Sequence, residues 1–296
     1  MSPKQSTGVR DAMILVTGAS GHVGGMALRC LSAMGAPVVA MARNQRKARE
    51  TLPAGVPVRI ANYDDVTSLK ASFEGVSSLL FVASDGDGRD VLRHHANVVD
   101  AAVVSGIEQI IFIGILDIEE TSPFYYTPVY RDAERRLTES GLNCTILRCG
   151  LYSDLLLSHW IEPARATGKL CLPVGQALVA PVSRKDVAAA AAALAVASDR
   201  HGKAYELTGP AAYSFDGIAN LANEVLGTRI RYVPCSPSDY LRRAWAEMHD
   251  PWPHAFTTLS ASIAEGRYAR ISTDIADLLG RPAEDLKDFL RRYAVV

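Results

Sequence analysis

Along the first half of the chain, short apolar runs alternate with amphipathic stretches. Runs of strand length occur at Met13–Val16, Pro37–Met41, Val58–Ile60, Leu79–Val82, Gln109–Ile113 and Thr145–Leu147. Between them, one helix-like stretch begins near His22, and others cover Asn44–Thr51, Val66–Glu74, Asp90–Ser105 and Pro128–Ser140. Short buried strands alternating with helices predict parallel βαβ units and a doubly wound sheet. Gly35, Gly75, Gly106 and Gly141 each fall just past a helical stretch, where a left-handed cap is needed. Their phase with the apolar pattern supports the alternation more than any single one does.

The second half is less regular. Ser153–Thr167 reads as helical, Leu178–Pro181 as a strand and Arg184–Ala197 as an Ala-rich helix. Ala204–Leu207 and Arg229–Val233 are further strand candidates, and Ser214 opens a helix to Leu226. Beyond Pro234 the pattern is almost all helical, through Asp239–Met248, Ala255–Arg267, Thr273–Leu279 and Ala283–Tyr293. The predicted class is α/β. A Rossmann-type doubly wound parallel sheet is expected from 1–154 plus 177–209. A smaller, mostly helical C-terminal substrate lobe is expected from 155–176 plus 210–296.

Composition narrows the function classes. Thirty-one basic and 32 acidic side chains give a net charge of −1, a poor electrostatic footprint for a nucleic-acid binder. No apolar run reaches the ~18 residues of a membrane span, and the N-terminal MSPKQSTGVRD has no signal-like apolar core. The five cysteines form no CxxC pair and read as small hydrophobes in a reducing compartment. A cytoplasmic protein is expected, monomeric or homodimeric, without membrane or nucleic-acid partners. His94 and His95 are adjacent, so on a helix they point about 100° apart, and no third ligand is suitably spaced. No metal is expected.

The strongest local signal is ILVTGASGHVGG, which follows the first strand and opens the first helix. Gly18-x-x-Gly21-x-x-Gly24 is a variant of the dinucleotide fingerprint. Gly18 permits the sharp turn, Gly21 lets backbone approach a pyrophosphate, and Gly24 lets helix and strand close together. The helix N-terminus then offers free N–H groups and a positive dipole end to the phosphates. At the end of the second strand, where a reader of both ribose hydroxyls would be acidic, the chain has Met41-Ala42-Arg43-Asn44-Gln45-Arg46-Lys47. Arg43 offers a planar fork suited to a 2′-phosphate, with Lys47 one turn on. A merely solvated basic first turn would run against the helix dipole. NADP(H) is therefore expected over NAD(H). Asn62, Tyr63 and Asp64 after the third strand can flank the adenine or simply cap the next helix.

With these residues in view, the chain resembles the NmrA-like branch of the atypical short-chain dehydrogenase/reductases. Within it, the quinone reductases and triphenylmethane-dye reductases are most similar. The resemblance spans nearly the whole length, through VTGASGHVGG, ARNQRKA, ANYDD, LLFVAS, HHANVVDAAVVSGIEQIIFIG, TILRCGLYSD, PVSRKDVAAAAAALA and STDIADLLGRP. It implies that Gly18, Ser20, Gly21, His22 and Val23 wrap the pyrophosphate, while Arg43 and Lys47 hold the 2′-phosphate. Ala83 and Ser84 would pass the ribose. Gly114 and Ile115, with Arg148, Cys149, Gly150 and Leu151, would border the nicotinamide. The substrate would lie over that ring, beneath the helical lobe.

The same resemblance exposes a departure. A typical short-chain reductase has Ser or Thr after strand five and Tyr-x-x-x-Lys on the next helix, the Lys lowering the Tyr pKa. Here the strand reads Ile113-Gly114-Ile115, and the helix reads Tyr126-Thr127-Pro128-Val129-Tyr130. Tyr130 stands where Lys would be. Pro128 suits a first turn capped by Thr127, which leaves Tyr126 before the helix. A conventional Tyr/Lys mechanism is not expected. A conjugated acceptor still takes hydride readily when held against the cofactor in a dry pocket. Tyr130 and Tyr152 are candidate hydrogen-bond donors, or aromatics filling the lobe interface. Trp160, Trp252 and His254 are candidate pocket linings. The expected function is NADPH-dependent hydride transfer to a quinone, dye or similar acceptor, with no flavin. The other reading is a non-enzymatic NADP(H)-sensing regulator.

Overall fold

A computed structural model describes residues 13–197 and 202–295 of the chain. The N-terminal segment MSPKQSTGVRD lies outside these described residues.

Seven strands form one parallel sheet: β1 (Ile14–Val16), β2 (Val38–Ala42), β3 (Val58–Ile60), β4 (Ser78–Val82), β5 (Gln109–Ile115), β6 (Asn143–Cys149) and β9 (Ala204–Leu207). Their order is β3-β2-β1-β4-β5-β6-β9. The connecting helices are α1 (His22–Ala33), α2 (Gln45–Thr51), α3 (Val66–Phe73), α4 (Gly88–Val104), α5 (Thr127–Glu139) and α8 (Arg184–Val196). The first six strands and their helices follow the apolar alternation closely. Gly35, Gly75, Gly106 and Gly141 all take the left-handed conformation expected of them, with φ between 68° and 77°.

The sheet is buried on both faces, which is why its strands are apolar runs and not alternating ones. On one face α1 and α8 pack together, with Leu28, Leu31, Val187 and Ala191 fully buried. On the other, Leu69, Phe73, Val98, Ala102, Ala133 and Leu137 cover Phe81 and Phe112. A third core joins the remaining elements. These are α6 (Ser153–Leu156), a π-helical turn at Leu157–Ile161, α7 (Glu162–Thr167), β7 (Lys169–Leu172), β8 (Leu178–Val179), β10 (Tyr213–Ser214), α9 (Phe215–Leu226), β11 (Arg231–Pro234), α10 (Pro237–Glu247), α11 (Trp252–Ala264), α12 (Asp274–Leu279) and α13 (Leu286–Ala294). Of these, α12 packs instead against α8 and β9.

Three local expectations change. The strand β7 was not anticipated, and it pairs in parallel with β11 outside the main sheet. The strand expected at Leu178–Pro181 shortens to β8, which pairs antiparallel with β10 and not with the sheet. Only the following segment touches the sheet's edge, through a bridge from Val182 to Tyr152 and the Gly209 N–H donating to Ala180 O. Finally, Thr127 is the first residue of α5 and Tyr126 its cap. The Thr127 hydroxyl is drawn elsewhere, donating to Asp117 O at 2.9 Å, so it pins the loop after β5 instead of capping.

Candidate active site

The strand order reverses between β1 and β4, and the loops leaving those two strands open a cleft of about 420 Å³. Thr17 fixes their separation: its Oγ1 donates to Val82 O and accepts from Val82 N at 2.9 Å. Gly18 turns with φ +57°. A Cβ on Gly24 would sit 2.4 Å from Gly18 O, so the helix can approach its strand only without a side chain there. The N-terminus of α1 has Gly21 as its cap, with no side-chain acceptor and no acidic residue in the first turn. Its orphan N–H groups and positive dipole end therefore face the cleft.

Gly18, Ser20, Gly21, His22, Val23 and Gly24 all line this cleft, as do Arg43 and Lys47. The exposed side chains of Arg43 and Lys47 make no ion pair among the described residues. Asn44, whose side chain accepts from the Lys47 N–H at 3.0 Å, caps α2 between them. Tyr63 lines the cleft with its hydroxyl donating to Val82 O at 2.8 Å, and burial raises its pKa. Ala83 and Ser84 lie beyond β4. The fit to a dinucleotide phosphate is physical: a backbone cradle that a Cβ would fill, a bare helix N-terminus, and two cations without anions.

A second cleft, of about 370 Å³, adjoins the first. Phe124, Tyr126, Trp252, Phe256 and Tyr268 give it an aromatic wall, with Leu259 beside them. Cys149 at the end of β6, with Gly150, Leu151 and Tyr152 after it, also lines this cleft. The two clefts share Ser84, Asp85, Gly114, Ile115, Tyr130, Tyr152 and Arg184. Tyr130 packs edge-on to His95 at 5.4 Å between ring centroids, and its burial raises the phenol pKa. Tyr152 carries the Arg184 guanidinium over its ring at 5.4 Å, and burial again raises its pKa. Both phenols are held neutral, as donors. Tyr126 donates to Gly86 O at 2.5 Å, so its proton is already engaged. Burial pushes the Cys149 thiol up to about 12, which makes it an inert packing group.

Several expected residues lie elsewhere. Arg148 does not line either cleft; its guanidinium makes a two-pronged pair with Glu134 on α5, at 3.1 and 2.7 Å. Trp160 is buried, with its Nε1–H donating to Tyr240 OH at 3.3 Å, and borders a separate small cavity. The exposed His254 packs its ring against Tyr125. Asp64 turns from the cleft to accept from Arg93 at 2.9 and 2.7 Å, which holds its carboxyl below the usual range.

Sequence reasoning missed Arg184, Asp85, His94, Phe256, Leu259 and Tyr268. Arg184 was findable by the test applied to Arg43, because it too is a cation in a first helical turn, directly after the cap Ser183. Trp252, Phe256 and Leu259 share one face of α11, at helical spacing. Tyr268 had no local signal. Among the described residues no group of three or more His, Cys, Asp or Glu could hold a metal ion. No helix among them is long and apolar enough to cross a membrane.

Comparison with known proteins agrees with this geometry. A family model described as NAD(P)H-binding matches residues 18–197. Quinone oxidoreductase 2 of Escherichia coli is 31% identical over 230 residues, covering 77% of this chain and 79% of that protein. The structure of an Escherichia coli NADPH-dependent quinone oxidoreductase complexed with NADPH superposes with a TM-score of 0.89 at 28% identity, covering 95% of this chain and 99% of that one. The Citrobacter sp. triphenylmethane reductase complexed with NADP(H) gives 0.88 at 28% identity, covering 96% and 100%. The chain thus belongs to the NAD(P)H-binding family, within the NmrA-like branch of the atypical short-chain dehydrogenase/reductases.

Proposed function

We propose that this protein is an NADPH-dependent reductase that transfers hydride to a quinone, a dye or a similar flat conjugated acceptor. The observation that carries the reading is the junction of the two clefts. A cleft suited to phosphate, with two cations that make no ion pair among the described residues, runs directly into an aromatic-walled one. The likeness to proteins named as quinone and triphenylmethane reductases supports the same acceptor class.

Bound NADPH would supply a hydride from its dihydronicotinamide ring. The chain's own residues do the rest. The Gly18–Gly24 loop holds the pyrophosphate against the first turn of α1. Arg43 and Lys47 select the 2′-phosphate, and no carboxylate stands at the end of β2 to repel it. Residues 155–176 and 210–296 act as the substrate lobe, whose Trp252 and Phe256 press the acceptor flat and exclude water. Neutral Tyr130 and Tyr152 offer hydrogen bonds where the clefts meet. No step needs a lowered Tyr pKa, which fits Tyr130 in the place of the usual Lys.

The test follows NADPH oxidation by loss of its absorbance with a panel of quinones, cationic dyes, enones and simple carbonyls. Turnover with the first two classes and little with simple carbonyls is expected. Tight nucleotide binding without turnover on any acceptor would overturn the reading and favour a nucleotide-sensing role.

A further inference from the structure

The reaction proposed above leaves a quinone with two electrons and one hydrogen nucleus, still short of a proton. Neither tyrosine has an obvious supply of one, since both are buried phenols with raised pKa. A chain of polar groups reaches the junction from a different side. Ser84 borders both clefts. Its Oγ lies 2.7 Å from Nδ1 of His94, on α4. The buried His94 ring in turn places Nε2 3.1 Å from Asp64 Oδ1. The Asp64 side chain is 46% exposed, so the far end of the chain meets solvent.

We propose that Ser84 and His94 form a proton relay that protonates the reduced acceptor, with Asp64 holding the His94 ring in place. The inference rests on the reductase reading. Hydride transfer breaks the C–H bond of the dihydronicotinamide and forms a bond from hydrogen to the quinone, giving an anion. The anion takes the Ser84 Oγ proton. Ser84 takes the Nδ1 proton of the His94 imidazolium, which is left neutral with Nε2–H toward Asp64. After the product leaves, Nδ1 takes up one proton from bulk solvent through the emptied cleft, so each turnover consumes one NADPH and one solvent proton. No electron moves through the relay.

The Asp64 carboxylate faces His94 Nε2 at 3.1 Å, and Arg93 pairs with the same carboxylate at 2.7 Å. Asp90 pairs with Arg93 at 2.8 Å and offsets its charge. His95, the next residue on α4, is neutral, with burial pushing it down to about 4. The Tyr63 ring covers His94 at 5.6 Å, shielding it from bulk water. The order of ring nitrogens is compatible with a nucleophilic serine as well, but Ser84 opens onto a hydride-transfer junction, where an acid is the group required.

Two acceptors separate the relay from a structural role. A quinone needs hydride and a proton, whereas a cationic triphenylmethane dye needs only hydride at its central carbon. The rates of wild type, His94→Gln, Ser84→Ala and Ser84→Thr are measured with both, in light and heavy water. NADPH affinity is read separately by protein fluorescence. The ratio of quinone to dye turnover is expected to fall roughly tenfold in His94→Gln and Ser84→Ala, less than the usual 10²–10⁴ for a positioned acid because water also protonates a hydroquinone anion. Ser84→Thr, which keeps the hydroxyl, should retain the ratio. Wild type should show a solvent isotope effect with the quinone alone, and His94→Gln should lose it. An unchanged ratio, or equal losses on both acceptors, overturns the relay and leaves the reductase reading standing. Wild type inactive on both acceptors overturns that reading and the relay with it.

Discussion

Replacing Gly24 with alanine tests whether the α1 terminus works by closeness. The new methyl would meet Gly18 O at 2.4 Å, Gly18 C at 2.7 Å and Thr17 O at 2.9 Å. All three are backbone atoms, so no side chain can swing aside. Restoring ordinary contact requires about 1 Å of movement between α1 and the loop after β1. The loop is poorly placed to move, because Thr17 locks it to β4. The helix must yield, and it does so against α8, where Leu28 and Leu31 are fully buried. Overpacking of this kind costs about 1–3 kcal/mol. At roughly 2–4 °C per kcal/mol for a chain of a few hundred residues, thermal unfolding should move down by several degrees. The retreating helix also withdraws its N–H groups and dipole from the phosphates, worth about 1 kcal/mol or more in a partly enclosed site. Affinity for NADPH and NADH should therefore fall together, by about tenfold, since both carry the pyrophosphate. Gly21→Ala is the informative partner. Its Cβ would meet Gly18 O at the milder 3.1 Å, on the exposed side of the turn, so affinity should suffer more than stability. Fluorescence titration with each nucleotide and a thermal melt give both quantities. A Gly24→Ala protein with wild-type melting and wild-type affinity would refute the close-approach reasoning.

Arg43→Asp should weaken NADPH by one to two orders of magnitude and leave NADH nearly untouched, because only the 2′-phosphate is addressed; a parallel loss of both nucleotides in titration would count against that assignment. Trp252→Ala should raise the KM for flat acceptors by roughly tenfold with little change in nucleotide affinity, since it removes wall and not cradle. His95 should shape the acid limb of stability. Its folded-state pKa is about 4 against 6.5 ordinarily, so the unfolded chain alone gains a proton between those values. Stability is then full above pH 6.5 and falls toward pH 4, by about 3 kcal/mol at most. His95→Phe should flatten that limb in denaturant titrations across the range. Cys149, pushed up to about 12, should resist alkylation at pH 8 in the folded protein and react once it is unfolded, as peptide mass mapping would show.

The N-terminal half was legible because its signals are local. Each strand from β1 to β6 is a short apolar run, and the four capping glycines have no neighbour within 4 Å that a Cβ would meet, so left-handed geometry alone explains them. The phosphate loop was legible for the same reason, since spacing and strand-to-helix context lie within a dozen residues. What failed depended on distant partners. β7 is a strand only because β11 lies beside it, some 60 residues later, and Lys169–Leu172 alone has no distinguishing period. β8 left the sheet because Tyr213–Ser214 offered it an antiparallel partner. Arg148 was expected beside the nicotinamide from the family resemblance, yet its side chain points where Glu134 waits on α5, and no spacing rule reveals that pair. The aromatic wall was half visible: the face of α11 follows helical period, but Tyr268 joins it from beyond the helix.

The departure at Tyr130 gains a structural reason from this arrangement. A lysine there would have to bury an ammonium against His95 and Phe112, whose rings lie 5.4 and 5.9 Å from that of Tyr130. His95 is itself neutral, and among the described residues its ring nitrogens have no side-chain partner that could serve as counter-ion. Tyr126, the αR cap of α5, has its hydroxyl turned to Gly86 O, which engages its proton. The usual Tyr/Lys pair is thus absent: a phenol packed among rings stands in the place of the lysine, and the tyrosine four residues before it is engaged by Gly86 O. Chemistry at this junction must come from acceptors that need no strong acid at the moment of hydride transfer, which are the acceptors a flat aromatic cleft would hold.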